Sequence, residues 1–283
     1  MERYSQQYYG GVGSRRRKRR RWNPRFFIAI GVLLLSIAGI LFAVSRCSRP
    51  TGQDPGTDPT DPSNPQQQVE PGPDPVVEPE DKFTVCIDPG HGYDDGGCVS
   101  TNLGKLCEKD ITLAVSLKLR TELEALGLQV VMTRDSDTPP EDMEPNSNGR
   151  YIFSATKRPP IINAYEPDMS ISLHCDSFDD SRVTGMSIYH YESNNPELTP
   201  YLAQHLQDGI VQVFPEQKVT IRTQGADTAF ALVKGVQAPA VLVEMGFVTN
   251  PEEAKNMLDE QWQSNLAKAM AQGILAYAQW QEE

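Results

Sequence analysis

FTVCID (83–88), KDITLAVSLKLRTELEALG (109–127) and LQVVMT (128–133) decide the fold. The first is a short apolar run stopped by Pro89-Gly90, the pattern of a buried strand. The second places Ile111, Val115, Leu119, Leu123 and Leu126 at helical spacing, with Gly127 where a helix C-cap belongs. The third is another β-rich run. The same alternation continues downstream. DMSISLHC (168–175), MSIYHY (186–191) and AVLVEMGF (240–247) read as strands. Arg158–Tyr165, Pro196–Val213 and Glu260–Trp280 read as helices. Asn250-Pro251-Glu252-Glu253 supplies an N-cap, Pro at N1 and Glu at N3, a further helix start. Residues 134–157 read as a long polar loop. The class is α/β: a mainly parallel twisted sheet flanked by helices, in one domain at 82–283.

The chain ahead of this domain has a different composition. Of 26 Lys and Arg residues, 11 fall in the first 49 positions, which hold one of the 38 acidic residues; the remainder carries a formal charge of −22. So acidic a body lacks the cations to neutralise phosphates, which excludes nucleic acid as a partner. FFIAIGVLLLSIAGILFAV (26–44) has no charge and no proline over 19 residues, and about 20 cross a bilayer as a helix. The basic tail, 1–25, contains RRRKRRRW at 15–22 and stays cytoplasmic by the positive-inside rule. The expected topology is single-pass in the cell membrane, with the C-terminal domain outside. A cleaved leader is disfavoured by the length of the span and by Val44-Ser45-Arg46. Lipid attachment at Cys47 is disfavoured by Arg46. Residues 45–81 are rich in Pro and Asp, cannot bury a core, and are expected to be a disordered spacer.

Candidate chemistry gathers at strand ends. His91 follows the first strand and His174 ends the DMSISLHC strand. Glu108 enters a helix, and Glu244 closes VLVE before Met245-Gly246. In an open α/β sheet, ligands gather at the carboxyl ends of strands. Two histidines and a glutamate, with a second glutamate free to move protons, suit a catalytic zinc. Each residue alone has a plainer reading: a structural histidine, or a carboxylate at a helix dipole. His190 and His205 are expected to be structural or surface residues, and Cys175 to face the core, opposite His174. No HExxH, GxSxG, P-loop or dinucleotide fingerprint occurs. Cys98 and Cys107 flank a short loop between His91 and Glu108, and in an exported domain a disulfide there would fix the loop that delivers Glu108.

VCIDPGHGYDDGG, LCEKDITLAVSLKLRTELEALGLQVVMTRDSDT, PDMSISLHCDS and PAVLVEMGFVTNPEEA together resemble, in order and spacing, the type-3 family of N-acetylmuramoyl-L-alanine amidases. The resemblance covers nearly all of 83–280. It implies a zinc (Zn2+) hydrolase acting on bacterial peptidoglycan, at the amide between N-acetylmuramic acid and L-alanine. It implies His91, Glu108 and His174 as metal ligands and Glu244 as the catalytic glutamate. Arg158 and Asn163 match an Arg-x4-Asn pattern in a supporting position. The chain departs from the family in Cys175-Asp176 after the second histidine and in an apparent insertion at 139–157. Two rivals stand beside this reading: another zinc hydrolase of the wall, such as a peptidase or deacetylase, and a non-catalytic relative that binds wall or a division protein. Any protein activator is left unspecified.

Overall fold

In a computed structural model describing residues 82–100 and 106–282, apolar runs become strands where expected. Thr84–Pro89 (β1) is buried from its second residue onward and leads into the turn that carries His91. A two-stranded ribbon, Val99–Ser100 (β2) with Leu106–Cys107 (β3), runs directly into the helix Glu108–Ala125 (α1). Ile111, Val115, Leu119 and Leu123 of α1 are buried, which is the spacing the sequence displays. Gly127 N–H then reaches the Glu124 carbonyl and Leu128 N–H that of Leu123, the two bonds of a Schellman stop. Gln129–Met132 (β4) follows.

The other elements are Arg158–Ala164 (α2), Met169–Asp176 (β5), Met186–Tyr191 (β6), Thr199–Val213 (α3), Val219–Gln224 (β7), Ala231–Gly235 (α4), Ala240–Phe247 (β8), Pro251–Leu258 (α5) and Glu260–Glu282 (α6). Six strands form one sheet in the order β4-β1-β5-β8-β6-β7. All neighbours are parallel except β6 and β8. One face packs Ile87, Leu173, Val241 and Val243 against α1, α3 and α6. The other packs Cys86, Ala240 and Leu242 against α2 and α4. Phe83, just ahead of β1, meets the ring of Tyr277 in α6 edge-on at 6.3 Å.

Two sequence readings change. β7 was not read as a strand, because VTIRTQ is polar and half-exposed; it pairs through its backbone with β6 along the whole length. The Cys98–Cys107 bridge is not formed, and both thiols are free. Cys107 is in register with Val99, so Cys98 lies one residue out of register and its side chain leaves the opposite face of the ribbon. Its Sγ lies 3.2 Å from Ser177 Oγ, whereas Cys107 Sγ sits beside Gly96. The basic tail, the 26–44 span and the 45–81 spacer lie outside the described residues. Among those described, no helix is long and apolar enough to cross a membrane.

Candidate metal centre

The turn after β1 is held in an unusual backbone conformation. His91 and Tyr93 have φ of 57° and 60°, in the left-handed region that a side chain disfavours. Two buried guanidinium groups fix it. Arg134 donates from Nε to the Pro89 carbonyl and from Nη2 to those of Gly90 and Lys109. Arg158 donates to the carbonyls of Pro89, His91 and Phe153. The charge of Arg158 is met by Asp88, fully buried at the end of β1, at 2.7 Å. Asp88 also accepts from Ser172 and Thr133, both at 2.6 Å. Burial works to raise the pKa of Asp88, but Arg158 and the two hydroxyls hold it below the ordinary carboxylate value.

The segment 139–157 braces the same turn from outside. Asp94 N–H bonds the Tyr151 carbonyl, the Asp94 carboxylate accepts Tyr151 N–H, and Arg150 reaches the Asp94 carbonyl. Next to it, the Asp95 carboxylate accepts from His91 Nδ1 at 2.9 Å, a contact that leaves Nε2 of the ring facing inward. That nitrogen lies 3.1 Å from Glu108 Oε2, and His174 Nδ1 lies 3.0 Å from Glu108 Oε1. One ligand atom from each of His91, Glu108 and His174 falls within 4.8 Å of the others. The Glu108 carboxylate is further gripped by two backbone amides, Cys98 N–H on Oε2 at 2.8 Å and Cys175 N–H on Oε1 at 2.9 Å. Gly97 makes this approach possible: with φ +66°, a Cβ there would stand 2.5 Å from Glu108 Oε2.

The charges of the cluster reinforce one another. Burial disfavours the imidazolium of His91, but the hydrogen bonds it donates to Asp95 and Glu108 outweigh burial and hold the group up to about 10. Burial likewise opposes the charge on Glu108, yet His174 and His91 keep its pKa below the usual carboxylate range. Glu244 is different. It is the Cα partner of His174 across the β5–β8 ladder, so the two side chains stand side by side on one face. Its Oε2 is buried with no hydrogen-bond partner. Burial, followed by the charges of Glu108 and Asp176, raises its pKa well above the ordinary value.

The structure thus brings His91, Glu108, His174 and Glu244 to the carboxyl ends of β1, β5 and β8. Arg158 stands directly behind them. Asn163 does not join the group: it lies near the far end of α2, donates to the Gly235 carbonyl and accepts Gln237 N–H, fixing the turn before β8. Cys175 is buried in the main core, facing away from His174. His190 bonds Thr223, and His205 packs on Tyr277 and Trp280. Sequence reasoning missed Asp88, Asp95 and Arg134. Asp95 was within reach as a carboxylate four residues after His91, whereas the buried roles of the other two have no periodic signal. A cleft of about 520 Å³ along the β4 edge is lined by Tyr93, Arg134 and Tyr165, and includes none of the four clustered residues.

Known proteins share this arrangement of elements. The family model described as N-acetylmuramoyl-L-alanine amidase matches residues 85–276. A germination-specific N-acetylmuramoyl-L-alanine amidase of Bacillus subtilis is 32% identical over 199 residues, which is 68% of this chain and 78% of that protein. A probable cell wall amidase, LytH, of Staphylococcus saprophyticus is 28% identical over 72% of this chain, which spans 61% of it. Among solved structures, an N-acetylmuramoyl-L-alanine amidase from Clostridium difficile superposes with a TM-score of 0.60 at 28% identity, covering 70% of this chain and 97% of that one. The CwlD amidase of Clostridioides difficile, solved in complex with the GerS lipoprotein, gives 0.59 at 28%, covering 70% and 99%. With the family model matched from β1 into α6, the chain belongs to the N-acetylmuramoyl-L-alanine amidases, hydrolases of the bacterial cell wall.

Proposed function

We propose that this amidase is a zinc enzyme that cuts the amide between N-acetylmuramic acid and the L-alanine of the stem peptide, anchored outside the cytoplasmic membrane by residues 26–44. The convergence of His91, Glu108 and His174 beside Glu244 carries this reading. Two imidazoles and one carboxylate are a donor set that suits catalytic zinc. The fit extends outward: Asp95 engages Nδ1 of His91, the outer contact that orients a ligating histidine. When bound, zinc supplies a Lewis acid that polarises the scissile carbonyl and makes water a better nucleophile.

The protein's own groups do the rest. Glu244 takes the proton of the attacking water and returns it to the departing nitrogen. Its carboxylate stands beside His174 on one face, with Oε2 free of any hydrogen-bond partner, and so is placed to receive that proton. The two amides on Glu108 and the guanidinium groups behind His91 hold the ligands still. The basic cluster at 15–22, ahead of an uncharged span, supports an N-terminus inside and a catalytic domain outside. The spacer at 45–81 would let the domain reach wall lying beyond the membrane. A protein regulator is part of this reading, as one relative is solved with a lipoprotein.

The test is mass spectrometry of peptidoglycan fragments after digestion by the full chain. Free stem peptides starting with L-alanine, and glycan strands bearing intact lactyl groups, are expected. Shortened peptides would point instead to a peptidase, and loss of acetyl groups to a deacetylase. Protease added to intact cells should remove the C-terminal domain and spare the basic tail; a fully soluble protein would refute the anchor.

A further inference from the structure

The site residues continue as a row across the sheet. His174 of β5 is in register with Glu244 of β8, and Glu244 is in register with Ser187 of β6. Neighbouring strands stand about 4.8 Å apart, so Ser187 lies about 10 Å from His174. At that end of the row Arg222 of β7 donates from Nε to Ser187 Oγ at 3.0 Å. Its guanidinium lies 5.8 Å from the centre of the ring of Tyr189, its partner in the β6–β7 ladder. The stem of this arginine is therefore fixed, yet the residue is exposed. Among the described residues it forms no salt bridge, and its two terminal nitrogens have no hydrogen-bond partner.

Arg182 is paired with Asp180, and Lys234 donates to the Ala226 carbonyl. An oriented guanidinium with no salt bridge, acting on Asp176 only through space, in a body of formal charge −22, stands out as a binding group rather than a surface charge. Its free edge presents the fork that matches a carboxylate. The glycan's hydroxyl and acetamido groups are neutral, whereas the stem peptide carries carboxylates. At about 3.3–3.6 Å per extended residue, 10 Å spans about three residues from the bond cleaved.

We infer that Arg222, held by Ser187 and Tyr189, recognises a carboxylate of the stem peptide and so sets which peptides the enzyme accepts. This rests on the amidase reading above. The probes are N-acetylmuramoyl peptides identical except that their carboxylates are free or converted to primary amides. The full-length chain should cleave both, with a lower KM for the free acid. Arg222→Gln should raise KM for the free acid by about 10- to 100-fold, as expected when hydrogen bonds to a charged group are lost, and leave kcat within about 2-fold. KM for the amide should not change, and Arg222→Lys should recover part of the loss. Metal content and thermal midpoint should match the parent, since Arg222 supports no core. Equal effects of Arg222→Gln on both probes, or none on either, would overturn the inference while leaving the amidase reading intact. Failure of the parent to cleave either probe would instead overturn the amidase reading, and the inference with it.

Discussion

Replacing Asp88 by asparagine asks whether the ion pair behind His91 organises the site. Asp88 is fully buried and Arg158 is 2% exposed, so solvent screens neither charge. Asparagine keeps the shape but leaves the Arg158 guanidinium with only the carbonyls of Pro89, His91 and Phe153 to answer its charge. Removing one partner of a buried pair costs about 3–5 kcal/mol. For a domain of this size, each kcal/mol lowers Tm by about 2–4 °C, so a fall of about 6–20 °C is expected. The assay is urea denaturation of parent and variant by circular dichroism, repeated across pH. Because the pKa of Asp88 is depressed in the fold, its contribution is complete above the unfolded value of about 3.9 and is lost as pH falls through the folded value. The gap between parent and variant should therefore be full at pH 7 and narrow in acid. A variant within about 1 kcal/mol of the parent at pH 7, or a gap that does not change with pH, would refute the reasoning.

Three further changes separate the parts of the site. Glu244→Gln should lower turnover by about 10²–10⁴-fold with metal content retained, read by kinetics and elemental analysis; parental turnover would send the search for the proton carrier elsewhere. Gly97→Ala should weaken metal binding and stability together, by about 1–3 kcal/mol of folding energy, because the new methyl meets Glu108 and His91 from a left-handed backbone. A metal titration matching the parent would show that the loop relaxes instead. Asn250→Ala should cost about 1 kcal/mol and leave kcat alone, since Asn250 caps α5 through Glu252 and Glu253 N–H.

The parts of the fold built on periodic burial were legible from sequence. MSIYHY and AVLVEMGF became strands with their bounds unchanged, and α1 buries the residues its spacing nominated. β7 escaped because an edge strand is held by backbone pairing, which leaves little trace in side-chain pattern. The spacing marks Glu253 only as the N3 residue of a helix start, whereas its carboxylate accepts Gly185 and Phe247 N–H, tying the start of α5 to two other segments. The candidate site was legible in its protruding groups, since His91, His174 and Glu244 each sit at a strand end beside a turn signal. Its buried support was not. Asp88 and Arg134 work through backbone carbonyls and hydroxyls brought in from distant segments, and nothing local marks them.

The placement of β1 also governs when this domain can fold. β1 lies inside the sheet, and its neighbour β5 begins at Met169. The main-core face of β1 is met by α1, close behind it in sequence, while Tyr277 of α6 closes over Phe83, just ahead of the strand. β4 and α1 can join β1 soon after it is made, whereas β5 and the Phe83–Tyr277 contact come from much later segments. Contacts of such sequence separation make folding slow, with apolar strands left uncovered in the interval. Loss of the final two dozen residues would not trim a terminus. It would uncover Phe83, just ahead of β1, and the faces of α1 and α3 that pack on α6.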